Sequence, residues 1–207
     1  MRYKDFSADD ITALDRTYRT NLINQISGVR TAFLAGTVNG SGQTNLALFN
    51  TLLHVGANPP LLGLVFRPLT VPRHTYDNIR ETGVFTLNLV HQDLIEAAHV
   101  CSAKFPREVS EFDAAGLTPE YRFDFPAPFV GESRLQLAMS WEEEHEIQSN
   151  QTIFMVARIR HIRLLEAALT ADGHLDTQVT QPAGVSGLDT YFGVEFIRQL
   201  EYARPNA

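Results

Sequence analysis

Arg134-Leu135-Gln136-Leu137-Ala138-Met139-Ser140-Trp141-Glu142 sets Leu135, Leu137, Met139 and Trp141 against Arg134, Gln136, Ser140 and Glu142. Successive side chains of a strand point to opposite faces, so this period of two marks a strand with one packed face. Upstream, Phe85, Leu87 and Leu89 alternate with Thr86 and Asn88 in the same way. Downstream, Thr152 to Leu165 is strand-like, but its alternation changes phase near Arg160-His161, where a β-bulge would re-aim the side chains. Leu61 to Phe66 is an unbroken apolar run after Pro59-Pro60, short enough for a strand buried on both faces. Arg30 to Val38 and Thr44 to Val55 are two further strand-like stretches, joined by Asn39-Gly40-Ser41-Gly42. Glycines tolerate the positive φ of tight turns, so these two stretches are expected to form a hairpin.

Helical signals fall between these strands. Ile11, Leu14 and Tyr18 recur at helical spacing, with Ser7 or Asp9 as cap, and predict a leading helix within residues 1–20. Arg73 to about Thr82 predicts a second helix, with Pro72 in its first turn and Gly83 as its stop. Asp93 and Glu96 resemble a capping box for a helix running to about Cys101. Residues 102–131 contain Pro106, Pro119, Pro126 and Pro128 and are expected to form a long loop. Six strands with inserted helices imply a mainly β, mostly antiparallel barrel. With no repeat and no linker, residues 1–207 are expected to form one domain.

The chain has 207 residues, 44% apolar and 20% charged, an ordinary globular composition. Seventeen Lys and Arg against 24 Asp and Glu give a formal charge of −7, which disfavours nucleic acid as a partner. The charged start lacks an apolar segment, so neither export signal nor membrane anchor is visible, and the cytoplasm is the expected compartment. In that setting the sequons at Asn39 and Asn150 are read as turn residues. A single cysteine, Cys101, excludes an intramolecular disulfide and is read as a small buried hydrophobe. Glu142-Glu143-Glu144-His145-Glu146 reads as a solvated turn rather than a metal site. No dinucleotide fingerprint, P-loop, nucleophile elbow, zinc motif or C-x-x-C is present.

Two polar segments depart from this background. Between residues 61 and 80, Arg67, Arg73 and Arg80 outnumber the single acid Asp77, a local positive excess in an acidic chain. Arg73, His74 and Thr75 fall at the expected helix start, where free N–H groups and the dipole favour a phosphate. The alternative is that they cap and solvate the first turn. In Thr44-Asn45-Leu46-Ala47-Leu48-Phe49-Asn50-Thr51, amides and hydroxyls interrupt a strand expected to be core, which ordinary hairpin chemistry could also explain.

Together these segments resemble the flavin reductase-like family with the FMN-binding split barrel. The resemblance extends over about residues 22–204. It includes Asn58-Pro59-Pro60-Leu61, the run Arg73-His74-Thr75-Tyr76-Asp77-Asn78-Ile79, the strand Gly83-Val84-Phe85-Thr86-Leu87-Asn88, and two segments of a bacterial branch, 102–112 and 186–191. It implies a homodimer with one FMN per subunit near the interface. Asn45, Ala47 and Leu48 would lie along the isoalloxazine, and Asn50 and Thr51 would reach the ribityl chain or phosphate. Arg67, Arg73, His74 and Thr75 would hold the phosphate, with Lys104 and Tyr191 as flavin or substrate neighbours. Relatives often carry smaller or other basic residues at Asn50 and His74, and His54-Val55-Gly56-Ala57 lengthens the connection before Pro59. The implied activity is hydride transfer from NAD(P)H to flavin, with a partner oxygenase as a possible recipient. The absence of an acid–base constellation is compatible with that chemistry, which depends on stacking and orientation. The rival readings are an FMN-binding or electron-transfer module without nicotinamide turnover, and a dimeric barrel that has lost its cofactor.

Overall fold

The computed structural model describes residues 1–205. In chain order the elements are α1 (Ala8–Ala13), α2 (Arg16–Gln25), β1 (Arg30–Thr31), β2 (Phe33–Val38), β3 (Thr44–Phe49), β4 (Leu52–Ala57), β5 (Pro60–Phe66), α3 (His74–Thr82) and β6 (Val84–Leu89). They continue with α4 (Ile95–Val100), α5 (Glu111–Ala115), β7 (Pro119–Glu120), β8 (Phe129–Val130), β9 (Leu135–Ile147), β10 (Thr152–Leu164), α6 (Thr177–Thr180), β11 (Ala183–Ser186) and β12 (Thr190–Gly193). Seven strands form the main sheet in the order β3-β2-β6-β9-β10-β5-β4, every pair antiparallel. Its two edges, β3 and β4, are consecutive in the chain and separated only by Asn50 and Thr51. A sheet whose outermost strands are joined by two residues must curl until those edges meet, which makes a barrel split along one seam.

One cluster, including Phe66, Ile79, Phe85, Leu87, Met139 and Met155, joins the sheet to α3. A second, including Leu34, Leu46, Val90, Cys101, Phe112 and Val130, lies under α4 and α5. The interior strand β6 is buried on both faces, against the single packed face expected from its alternation. Its polar residues are used inside. Asn88 Nδ2 donates to Leu34 C=O (3.1 Å) and Thr86 Oγ1 (2.9 Å), while Asn88 Oδ1 accepts Val130 N–H (3.0 Å). Thr86 Oγ1 donates to Pro128 C=O at 2.6 Å. Gly36 makes this approach possible, since a Cβ there would sit 2.3 Å from Pro128 O.

The hairpin turn, the Gly83 stop in left-handed conformation (φ 75) and the register shift between Ile159 and His161 agree with the sequence. Asn39 and Asn150 are turn residues, each accepting local N–H and hydroxyl bonds.

Other expectations are corrected. The leading helix is two helices, because the Asp15 carboxylate accepts Thr17 and Tyr18 N–H and starts α2 afresh. The stretch Thr44 to Val55 is not one strand; it breaks at Asn50-Thr51, and His54–Ala57 belongs to β4, paired with β5. Leu61, Leu62 and Val65 of β5 retain partial exposure, so the run is not buried throughout. Pro72 precedes the N-cap residue Arg73 instead of sitting in the first turn of α3. Asp93 caps no helix; it takes an ion pair from Arg134 at 2.9 Å. The 102–131 segment carries α5, β7 and β8 and buries Phe112, Phe129 and Val130. Glu142 to Glu146 extends β9 rather than turning, and Glu144 accepts Tyr76 Oη and Arg80 Nη1, both at 3.0 Å.

Asn88→Ala leaves Val130 N–H without a partner in the core and removes the side-chain bonds to Leu34 C=O and Thr86 Oγ1, which should cost about 1–3 kcal/mol of stability. The urea midpoint should fall with an unchanged slope; an unchanged midpoint contradicts the assigned network.

Candidate functional site

At the seam lies a cavity of about 960 Å³, near the upper end of the size usual for small-molecule sites. Its walls are the outer edge of β3, the 65–75 segment leading into α3, the 99–107 segment after α4, and the turn after β11. All ten residues singled out in the sequence line it: Asn45, Ala47, Leu48, Asn50, Thr51, Arg67, Arg73, His74, Thr75 and Lys104. Tyr191 stands behind the wall and accepts or donates a bond at 3.0 Å with Nδ1 of His99, which does line it. Burial, followed by the Asp189 charge, raises the Tyr191 phenol above its ordinary pKa.

Local geometry fixes several of these side chains. Asn45 Nδ2 donates to Thr75 Oγ1 at 3.0 Å, tying β3 to the first turn of α3. Because that oxygen accepts from Asn45, the Thr75 hydroxyl proton is left to donate elsewhere. Asn78 Nδ2 donates to Thr37 Oγ1 (3.0 Å), and Arg107 Nη2 reaches Asn78 Oδ1 at 3.4 Å. At the other end, Asn50 Nδ2 donates to Gly187 C=O (3.0 Å) and Thr51 Oγ1 to Val65 C=O (3.1 Å). The junction residues therefore stitch the seam as well as line the cavity.

Positive charge collects here. Arg30, Arg67, Arg73, Lys104 and Arg107 surround the cavity against Glu111 and Asp189. Among the described residues only Arg107 of these five is in an ion pair, a loose one with Asp77 at 3.9 Å. Arg73 Nε is buried without a hydrogen-bond partner, and no side chain caps the start of α3. Uncapped N–H groups, the positive end of a nine-residue helix and unpaired guanidinium groups together suit an anion. These residues therefore fit a phosphate group.

Arg30, Arg107, His99 and Glu111 are among the lining residues that were not singled out in the sequence for this role. Arg30 stands ahead of an apolar strand with no motif around it. Glu111 is 6% exposed and accepts Leu46 N–H at 2.9 Å, a partner 65 residues away that no local pattern reveals. Burial raises its carboxyl above the usual carboxylate range, opposed by the Leu46 N–H and the nearby His74. No group of three or more metal-ligating side chains occurs among the described residues.

The Flavin reductase like domain matches residues 29–178. A crystallised protein of Shewanella frigidimarina, described as a flavin reductase with split barrel domain, is 41% identical, with a TM-score of 0.93 over 97% of this chain and 100% of that one. Nitrilotriacetate monooxygenase component B of Bacillus cereus, 18% identical, shares the fold with a TM-score of 0.85 over 97% of this chain and 100% of that one. An uncharacterized protein of Halalkalibacterium halodurans is 30% identical over 148 residues, 69% of this chain and 70% of its own length.

Cys101 borders the cavity but is buried, and desolvation, with Glu111 beside it, pushes its thiol up to about 12. Thiolate is the reactive form, so native protein at pH 8 should resist alkylation by iodoacetamide and react fully once unfolded. Rapid native labelling contradicts the inert assignment.

Proposed function

The chain belongs to the flavin reductase like domain family, and we propose that it is an oxidoreductase that binds FMN at the seam cavity and oxidises NAD(P)H. The observation that carries this reading is the cavity itself, where unpaired cations and an uncapped helix start stand beside an edge strand with polar side chains. A bound flavin supplies hydride acceptance from a reduced nicotinamide and onward delivery of the electrons.

The protein's part is to bind and orient. Arg67, Arg73, His74 and Thr75 would hold the phosphate, with the Thr75 hydroxyl aimed by its bond from Asn45. Leu48 would face the ring through its outward backbone groups, with Asn45 and Ala47, whose backbone groups are bonded to β2, beside it. The Thr51 hydroxyl proton is engaged by Val65 C=O, so Thr51 suits a ribityl hydroxyl, as acceptor, better than a phosphate. Asn50 keeps Oδ1 for the same purpose while its Nδ2 holds Gly187. Lys104, exposed on the 102–107 segment, would neighbour the flavin or its substrate.

A homodimer is part of the same reading. Helix α2 buries no residue, leaving Tyr18 and Ile23 exposed, and beyond β12 Phe196, Ile197, Leu200 and Tyr202 are exposed too. Apolar surface of this extent suits a second copy of the chain. A structural neighbour named as component B of a monooxygenase supports a partner oxygenase. A cytoplasmic setting belongs to the same reading; no helix among the described residues is long and apolar enough to cross a membrane.

Purified protein saturated with FMN should oxidise NADH or NADPH faster than free flavin does; equal rates sink the enzymatic reading. Arg73→Ala with Thr75→Ala should weaken FMN at least about tenfold and riboflavin little, as titration by fluorescence quenching would report. Sedimentation should give twice the 23.1 kDa chain mass.

A further inference from the structure

We propose, on the reading that the flavin ring docks along β3, that Glu111 is the positioning residue that sets where on the strand it docks. β3 is an edge strand: Asn45, Ala47 and Phe49 pair with Thr37, Ala35 and Phe33 of β2, and the alternate residues turn their backbone groups outward. Leu46 N–H is one of these outward donors, and Glu111 Oε2 takes it at 2.9 Å. Two residues on, the same alternation turns Leu48 N–H outward, where no side-chain acceptor meets it among the described residues, and Leu48 lines the cavity. Glu111 thus closes one outward amide and leaves the next as the first donor open to a ring edge.

The latch is built into the fold at two adjacent outward positions. Ser110, the residue before α5, shares a 2.7 Å hydroxyl bond with Thr44, and Glu111 follows with the Leu46 bond. Phe112, 1% exposed, packs α5 into the same cluster as Leu46. No ion pair holds the Glu111 carboxyl among the described residues, so the Leu46 amide is the group that orients it. An edge strand otherwise presents a row of free donors and acceptors, and a planar ligand could slide along it by one two-residue step. Filling Leu46 removes that alternative register.

The test uses the full chain, with and without FMN, and four variants. In flavin-free protein, NMR hydrogen exchange should show the Leu46 amide protected in the wild type and at least about tenfold faster in Glu111→Ala. Glu111→Gln should restore protection, since its amide oxygen accepts the same bond. Added FMN should slow exchange at Leu48. Glu111→Ala should weaken FMN and riboflavin by a similar factor, about tenfold, because the ring end is affected; Arg73→Ala should spare riboflavin. Should Glu111→Ala not fold, Glu111→Asp keeps the charge but shortens the reach by one methylene, and the same measurements apply. Unchanged Leu46 exchange, FMN protection that leaves Leu48 untouched, or unchanged flavin affinity in a wild-type-competent background overturns the role of Glu111 alone. Failure of the wild type to bind FMN overturns the proposed function with it.

Discussion

The two-residue junction Asn50-Thr51 is the constraint on which the site depends. It joins the two edge strands of a seven-stranded sheet, so the sheet cannot lie open, yet β3 and β4 do not pair with each other. Edge strands carry unsatisfied backbone groups, and proteins cover them or use them. Here both happen: Glu111 covers part of β3, and the remainder faces the cavity. The junction's own side chains tie down its surroundings, Thr51 to the β5 backbone and Asn50 to the turn after β11. A single short connection therefore curls the sheet, leaves a seam, and fixes two of the cavity walls.

Charge distribution does the next part of the work. The chain is acidic overall, but the cavity collects five cationic side chains against two acids. Exposed ion pairs elsewhere are worth little, since solvent screens them. At the cavity Arg30 and Arg73 are partly buried, and among the described residues neither is paired with a carboxylate. An anionic ligand would supply the missing partner at lower cost than bulk water does. The buried Arg73 Nε and the uncapped start of α3 point the same way, because neither is satisfied by the protein itself.

Much of the fold was legible where a residue's environment is set by its near neighbours. The strand at β9, the Asn39 to Gly42 turn and the Gly83 stop are local signals, and they hold, but Gln136 and Ala138 of β9 are buried on the face that alternation left to solvent. The break at Asn50-Thr51 was not legible, because both sides of it are apolar and strand-forming and only sheet closure decides where the chain crosses. Thr86 and Asn88 looked solvent-facing by alternation. They are buried because β6 is the third strand from one edge and is covered by the 128–130 segment, whose backbone they satisfy. Glu142 to Glu146 looked like a turn by charge alone, whereas β10 pairs with residues 143–146 in register and the ladder skips Glu142 at a bulge. The cation cluster at residues 67–75 could be read because a helix start is a local feature. Glu111 and Arg30 could not, since what makes them part of the site is contact across long stretches of sequence.

The site also explains why polar residues persist where packing alone would favour apolar ones. Arg107, Asn78 and Thr37 form one line of hydrogen bonds, and Asn45 with Thr75 forms another beside it; both join α3 to β2 and β3. Every buried member has a partner, so the polar groups are not left unsatisfied at their desolvation cost. A leucine at Asn45 or Asn78 would pack as well but would free α3 to rotate relative to β3. The Thr75 hydroxyl and the helix N–H groups would then no longer converge with the strand edge. Binding energy spent on reordering them would be lost from affinity, whereas a start of α3 already locked to the strand presents its donors at no further cost. The buried amides are thus best understood as holding two binding elements in fixed relation, with the stability of the core as a secondary consequence.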